Sequence, residues 1–396
     1  MLRLIASLAL LGLVWPAVAL AQDNEPVSIK TGILTIKYNR EKPISRLDLP
    51  PKDIGLAGAR QAIEDNNSTG KFLNQTYELI EASERPDKAA AKLDEMIAQG
   101  AQYIVVQAEA DDLLALADHV AGQDVLLLNT AAQDNRLRND DCRANVLHAA
   151  PSRQMIADGL AQYMMWKKWD EWLLIHGSHP QDLLKAEAYR RAAKKYGADI
   201  VEERMYEDTG GARRSDSGHV LVQKQMPVFT QRADDHHVVV AADEAGVFAV
   251  YLPYRTWDAR PVVGDAGLIA SMWHPGHEGW GATQLQRRFE RKQNRQMRDL
   301  DYTAWIALRS VGEAVTRAEA KTFEGVRGYL LSDDFEIAGF KGEPLSFRPW
   351  NNQFRHGVLL GDGKLVVTVS PQEEYLHQRT RLDTLGFDQP ESSCKF

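Results

Sequence analysis

The chain has 396 residues, 44% hydrophobic and 26% charged, with a formal net charge of −8. That length exceeds one ordinary hydrophobic core and suits two, and the composition excludes a disordered or fibrous chain. The acidic balance excludes the basic surface that nucleic acids or anionic membranes require.

Residues 1–21 carry Arg3, an apolar run from Leu4 to Leu20 broken by Pro16, and the small-residue site Ala19-Leu20-Ala21. This is the pattern of a cleaved signal peptide, so a periplasmic location is expected, with no membrane insertion once the peptide is removed. No Cys follows the site to take a lipid, and no later run is long and apolar enough to span a bilayer. The two cysteines, Cys142 and Cys394, read as one disulfide in an oxidising compartment, closing a loop of roughly 250 residues worth about 2–5 kcal/mol. Two unrelated buried thiols are the alternative. A Cys so near the C-terminus is hard to bury, which favours the bridge.

Strands and helices then alternate. Ser28 to Ile36 predicts a strand, and Asp53 caps a helix from Ile54 to Asp65 that Asn66-Asn67 ends. Thr76 to Ile80 is a second strand, followed by a helix from Asp87 to Ala98 stopped at Gly100. Tyr103–Gln107 and Val125–Leu128 are strands flanking a helix from Asp111 to Val120. Four such steps predict a parallel sheet covered by helices. The pattern restarts with a strand at Val146–Ala149, a helix at Arg153–Lys168, a strand at Trp172–Ile175 and a helix at Pro180–Tyr196. Strands follow at Ile200–Tyr206, Val238–Ala241 and Pro261–Gly264, around a loop at Thr209–Gly218. The basic stretch Arg287–Lys292 reads as the solvated face of a helix, and Tyr302–Ala318 as a long amphipathic helix. Leu345–Val369 alternates in strand fashion around Gly361-Asp362-Gly363-Lys364, a hairpin signal.

The usual nucleophile, phosphate-loop, zinc-protease and dinucleotide signatures do not occur, so no catalytic residue is expected and the chain reads as no enzyme. His274, His277 and Glu278 form a weak metal candidate in a Gly/Pro loop without a template spacing. Trp273 and Trp280 in the same loop suggest stacking on a flat ligand. Trp166, Trp169 and Trp172 read as core with one exposed member.

The order of elements, with Ile54-Gly55 to Asn67, Ala150-Pro151-Ser152 and Tyr302-Thr303-Ala304 to Val315, resembles the type I periplasmic solute-binding proteins of ABC importers, the branched-chain amino acid class. The likeness covers nearly the whole chain after the signal peptide. It implies an α/β fold of two lobes, each a mostly parallel sheet flanked by helices, joined by hinge crossovers. On that plan residues 22–148 and 276–330 form lobe 1, and 149–275 and 331–396 form lobe 2. More narrowly, Trp273 to His277, Asn139 to Arg143 and the end Ser392 to Phe396 resemble a subgroup encoded with alcohol dehydrogenases that use pyrroloquinoline quinone (PQQ).

In the resembled family, Ser and Thr after the third and fourth strands hold the ligand carboxylate, and an acidic residue after a second-lobe strand holds its ammonium. Here only Thr130 keeps a hydroxyl, Glu109 would repel a carboxylate, and Asp243 or Glu244 matches the acidic residue. Open α/β sheets bind ligands at the carboxyl ends of their strands. The candidate ligand-binding residues are therefore Tyr38, Gln107, Glu109, Asn129, Thr130, Arg153, His176, His179, Asp243, Glu244 and Asp265, with Trp273 and Trp280. The expected function is cleft binding of a small flat polar or anionic ligand for an ABC-type importer linked to PQQ-dependent alcohol oxidation. PQQ itself is the favoured ligand, and no cofactor is required. The alternatives are a ligand-sensing or docking partner of a quinoprotein dehydrogenase, or a metal-carrying binding protein. A monomer is expected.

Overall fold

The computed structural model describes residues 26–210, 219–318 and 321–396. The expected signal peptide and residues 211–218 of the expected loop lie outside the described residues. In chain order come β1 (Val27–Ile36), α1 (Leu56–Gly70), β2 (Gln75–Glu84), α2 (Ala89–Ala98), β3 (Tyr103–Gln107), α3 (Ala110–His119), β4 (Leu126–Asn129) and β5 (Val146–His148). After these come α4 (Arg153–Trp166), β6 (Glu171–Gly177), α5 (Pro180–Tyr196), β7 (Asp199–Tyr206), α6 (His219–Thr230), β8 (Val238–Ala242), the short α7 (Leu252–Arg255) and β9 (Val262–Gly264). The chain finishes with β10 (Ile269–Ser271), α8 (Ala282–Gln293), α9 (Asp299–Arg317), α10 (Phe323–Leu330), β11 (Ile337–Ala338), β12 (Pro344–Leu345), β13 (Val358–Gly361) and β14 (Val366–Ser370).

Two parallel sheets define two lobes, in the orders β2-β1-β3-β4-β5 and β7-β6-β8-β9. Their central strands are apolar on both faces, as helix-covered parallel strands must be: all of Tyr103–Gln107 and Val238–Ala242 is buried. Separate apolar clusters cover one face of each sheet, one around Leu34, Ile104 and Leu127, the other around Leu173, Val239 and Phe248. The opposite faces share a continuous core that passes through Met272, Trp273, Phe354 and Val358. The lobes are thus packed together where the chain crosses between them. The predicted hairpin is β13–β14; Asp362 accepts from the Lys364 and Leu365 amides in its turn, and β10 adds a third antiparallel strand.

Several boundaries differ from the sequence reading. Asn66-Asn67 does not end α1, which runs on to Gly70. Both amides are used in packing instead: Asn66 donates to the Leu308 carbonyl, and Asn67 brackets the Tyr77 backbone. Asp53 is no cap but pairs with Arg295, and the helix starts after Gly55 at φ 79°. The charged stretch 287–292 belongs to α8, whose inward face buries Leu285 and Phe289. α6, which contains Pro227, and α10 were not foreseen. Of the three tryptophans near the end of α4, Trp172 is buried and Trp166 half exposed, as read.

One buried charge marks the junction of the crossovers. Lys341 is 3% exposed, with its ammonium 4.3 Å from the centre of the Tyr302 ring and donating to the Gly357 carbonyl at 3.1 Å. Met272 Sδ, directly after β10, lies 3.9 Å from it. Near it, buried His356 bridges to the Ala149 carbonyl of the first crossover. Burial pushes Lys341 down to about 7, against the attraction of Asp299. The unfolded chain, with an ordinary lysine, binds more protons between about pH 7 and 10, so this group makes stability rise with pH across that window. Lys341→Met should therefore raise stability at pH 6 by about 1–4 kcal/mol, by removing a buried charge. Denaturation measured from pH 6 to 9.5 should show that gain shrinking as pH rises.

Candidate functional site

The strand ends of the two lobes meet at Arg153, the first residue of α4. Ser152 caps this helix by accepting from the Met155 amide, and the Arg153 amide donates to the Gln133 carbonyl of the first lobe. The Arg153 guanidinium donates twice to Glu244, after β8, at 2.7 Å each, and once to Asp134, after β4, at 2.8 Å. Burial disfavours this cation, but the two carboxylates outweigh it and hold its pKa above the usual arginine range. A bidentate carboxylate for Arg153 is thus supplied by the protein itself. Loops from both lobes share one guanidinium, which places the carboxyl ends of the two sheets face to face.

On the first-lobe side, β3 and β4 run side by side with Val106 opposite Asn129, so Gln107 and Thr130 end neighbouring strands. Gln107 accepts from the Thr35 hydroxyl at 2.9 Å, but its buried Nε2 has no hydrogen-bond partner among the described residues. The buried Thr130 hydroxyl also has none. A buried unpaired donor costs roughly 1–3 kcal/mol, so two at adjacent strand ends mark where a ligand's acceptor would be welcome. Gly55 sits over Gln107, where a Cβ would come within 1.7 Å of Nε2. Tyr38 is half-buried beside them, donating to Asp112 and accepting from the Glu109 amide.

Other candidates are committed to the scaffold. Asn129 brackets its own turn, accepting from Ala131 and Ala132 and donating to the Ala132 carbonyl. Glu109 is exposed and pairs with Arg40. Asp243 accepts from the amides of Val247, Phe248 and Ala249; burial nevertheless pushes its carboxyl up to about 7. Asp265 accepts from the Asp243 amide and pairs with half-buried Lys185. His179, at the start of α5, faces Asp208 at 2.8 Å. His176 points along the sheet to Glu203, within a surface network with Arg190, and so does not face the strand-end site.

The aromatic pair expected to stack on a ligand is not available for it. Trp273 is 3% exposed, donates to Gln286 and stacks on Tyr302 with ring centres 5.0 Å apart, so both faces are spent on the core. Trp280 is 59% exposed but lines a separate groove of about 400 Å³ with Phe340, Gly342 and Pro344, beside the β11–β12 hairpin. The metal candidates do not converge either. His274 bonds the Asp362 carbonyl, His277 the Phe340 carbonyl, and Glu278 is exposed. Among the described residues no three ligating side chains cluster. Burial pushes His277 below the usual histidine range.

Sequence reasoning missed Asp134, the second partner of Arg153, although it lies four residues beyond Thr130 in the same strand-end loop. It also missed Lys185, one turn into α5, because nothing local pairs it with Asp265. Cys142 and Cys394 are bonded as expected, with Cα atoms 5.7 Å apart.

Residues 54–364 match the family model described as periplasmic binding protein, and the chain belongs to that family. It is similar in fold to a branched-chain amino acid ABC transporter periplasmic ligand-binding protein from Burkholderia xenovorans: TM-score 0.71 at 16% identity, covering 92% of this chain and 99% of that one. A leucine-, isoleucine-, valine-, threonine- and alanine-binding protein from Brucella ovis, in a closed conformation, is also similar, with TM-score 0.67 at 15% identity over 94% and 99% of the two chains. An ABC transporter substrate-binding protein from Sphaerobacter thermophilus gives 0.69 at 17% over 91% and 100%. No curated protein matches the sequence.

Replacing Arg153 by Gln leaves Glu244 and Asp134 without their shared cation. Because Glu244 is one-third exposed, solvent screens part of the loss. Urea denaturation should show a loss of about 2–3 kcal/mol, part of which Glu244→Gln restores in the same chain.

Proposed function

We propose that this chain binds one small polar molecule between the facing strand ends of its lobes and, as a periplasmic component, delivers it to an ABC-type importer. The observation that carries this reading is the pair of buried, unpartnered donors, Gln107 Nε2 and Thr130 Oγ1, at adjacent strand ends. The family and the functions of its structural neighbours support a solute-binding role.

The chemistry of the strand ends narrows the ligand. The strand-end cations Arg40, Arg153 and Lys185 lie beside the carboxylates Glu109, Asp134, Glu244 and Asp265. Each of those cations already touches a carboxylate. With these cations already paired, a polyanion would have to displace a protein carboxylate to be held there. Glu244 is neutralised by Arg153 and Asp243 is spent on three amides, so an ammonium finds no dedicated partner there. The best-fitting ligand is a neutral polar molecule whose oxygen accepts from Gln107 and Thr130, with Tyr38 and His179 at the rim.

PQQ, serving a quinoprotein alcohol-oxidation system, is the second reading. It is favoured by the likeness of the segments 139–143, 273–277 and 392–396, and it would require Arg153 to exchange a protein carboxylate for a ligand one. A sensing or docking role beside a quinoprotein dehydrogenase, and carriage of a metal, are further readings that the same test separates.

A thermal-shift panel of neutral polyols, amides, amino acids, divalent metals and PQQ, followed by calorimetric titration of whatever stabilises the chain, tests this. A neutral polar solute should bind at one per chain, and Thr130→Val or Gln107→Leu should weaken it about tenfold, the worth of one hydrogen bond. Binding of PQQ alone would replace the first reading by the second. A solute whose affinity neither variant alters would place the site elsewhere.

A further inference from the structure

We infer that the C-terminal tail is a strap that fastens the second lobe to the first and bounds how far the two can separate. The inference rests on the reading that the lobes move about their crossovers to admit a ligand.

The strap begins on the second lobe. The Thr384 carbonyl accepts from Lys195 Nζ at 2.8 Å and from the Tyr196 hydroxyl at 3.0 Å, both on α5. Gln162 of α4 donates to the Thr384 hydroxyl. The Gly386 amide donates to Asp158, also of α4, at 2.8 Å. Asp158 is fully buried and also meets Lys195 at 3.2 Å. Leu382 and Leu385 are buried in the shared core. Two further contacts on α5 carry the tail outward: the Arg191 guanidinium lies 4.2 Å over the Phe387 ring, and it pairs with Glu391 at 2.9 Å.

Three residues later the chain is on the first lobe. Ser392 donates to the Arg138 carbonyl, Ser393 to Asp140, and Cys394 is bonded to Cys142. Residues 138–142 lie between β4 and β5, in the first lobe. The crossing from the last second-lobe anchor, Glu391, to the covalent first-lobe anchor is three residue steps, at most about 10 Å when extended. Without the pairs that Glu391 makes with Arg191 and Lys195, the next anchor is Phe387 under Arg191, seven steps away, which allows about 24 Å. The crossovers join the lobes through backbone that any hinge must already bend. The tail adds a covalent link outside them, with its slack set by the ion pairs of Glu391 with Arg191 and Lys195.

The test is a distance distribution between the lobes of the free protein. Spin labels are placed at the exposed positions Lys71 and Arg255 through a non-natural amino acid, so that the native disulfide is left intact. The oxidised chain should give one narrow distribution. The pair Cys142→Ser/Cys394→Ser should add a population with longer distances, as should the native chain reduced with dithiothreitol and alkylated. Glu391→Gln keeps the disulfide and should broaden the distribution to an intermediate extent, which tests the strap even if the serine pair fails to fold. Identical distributions in the oxidised, reduced and Glu391→Gln chains, with circular dichroism unchanged, would overturn the inference. Because the measurement uses no ligand, that outcome leaves the titrations above to decide the binding reading separately.

Discussion

One guanidinium joins the strand-end loops of the two lobes. Arg153 begins the first helix after the chain leaves the first sheet, and its side chain is held by a carboxylate from each lobe. A buried arginine with one partner would be poorly compensated; with two it stays ionised and fixes both strand-end loops. Its position follows from Ser152, which caps α4, and from the Gln133 carbonyl, which accepts the Arg153 amide. The same arrangement uses up the charge that a ligand carboxylate would have sought. The residues that bring the lobes together are therefore different from those proposed to bind, the uncharged donors of Gln107 and Thr130.

Opposite demands act behind that face. On the proposed reading the crossovers bend, yet they pass through a continuous apolar core in which Trp273, Tyr302 and Phe354 are fully packed. Lys341 and His356 sit inside this core as groups whose charged forms are disfavoured by burial. Packing of this kind allows discrete rearrangements rather than continuous flexing. Arg348 and Arg355, between β12 and β13, both meet Asp383 and so tie that segment to the tail.

Much of the fold was legible in the sequence because parallel strands buried on both faces are short β-branched or leucine-rich runs. Tyr103–Gln107 and Val238–Ala242 stand out without any tertiary knowledge, as do Pro180–Tyr196 with its Gly197 stop and the Asp362 turn. What failed were residues whose local preference was overridden by distant partners. Asn66 and Asn67 look like a helix end, but their amides serve α9 and β2. α8 is so charged that its single buried stripe, Leu285 and Phe289, is easily lost in the pattern.

The site was legible as a set of strand ends and not as a set of roles. Sequence placed Arg153 and Glu244 in the list separately, with nothing to say that they neutralise each other across 91 positions. Trp273 and Trp280 share a loop, but one turns into the core and the other onto an outer groove. That difference depends on a left-handed backbone at Trp280, φ 47°, which composition does not reveal. The unpaired state of Gln107 and Thr130 is visible only once their neighbours are in place.

The central claim is that the space between the strand ends holds a small molecule. Native mass spectrometry of the chain purified from its own periplasm without a denaturing step addresses this most directly. The account predicts one low-mass, uncharged polar compound per chain, released on unfolding. A chain that carries no small molecule and instead retains a protein partner would contradict it.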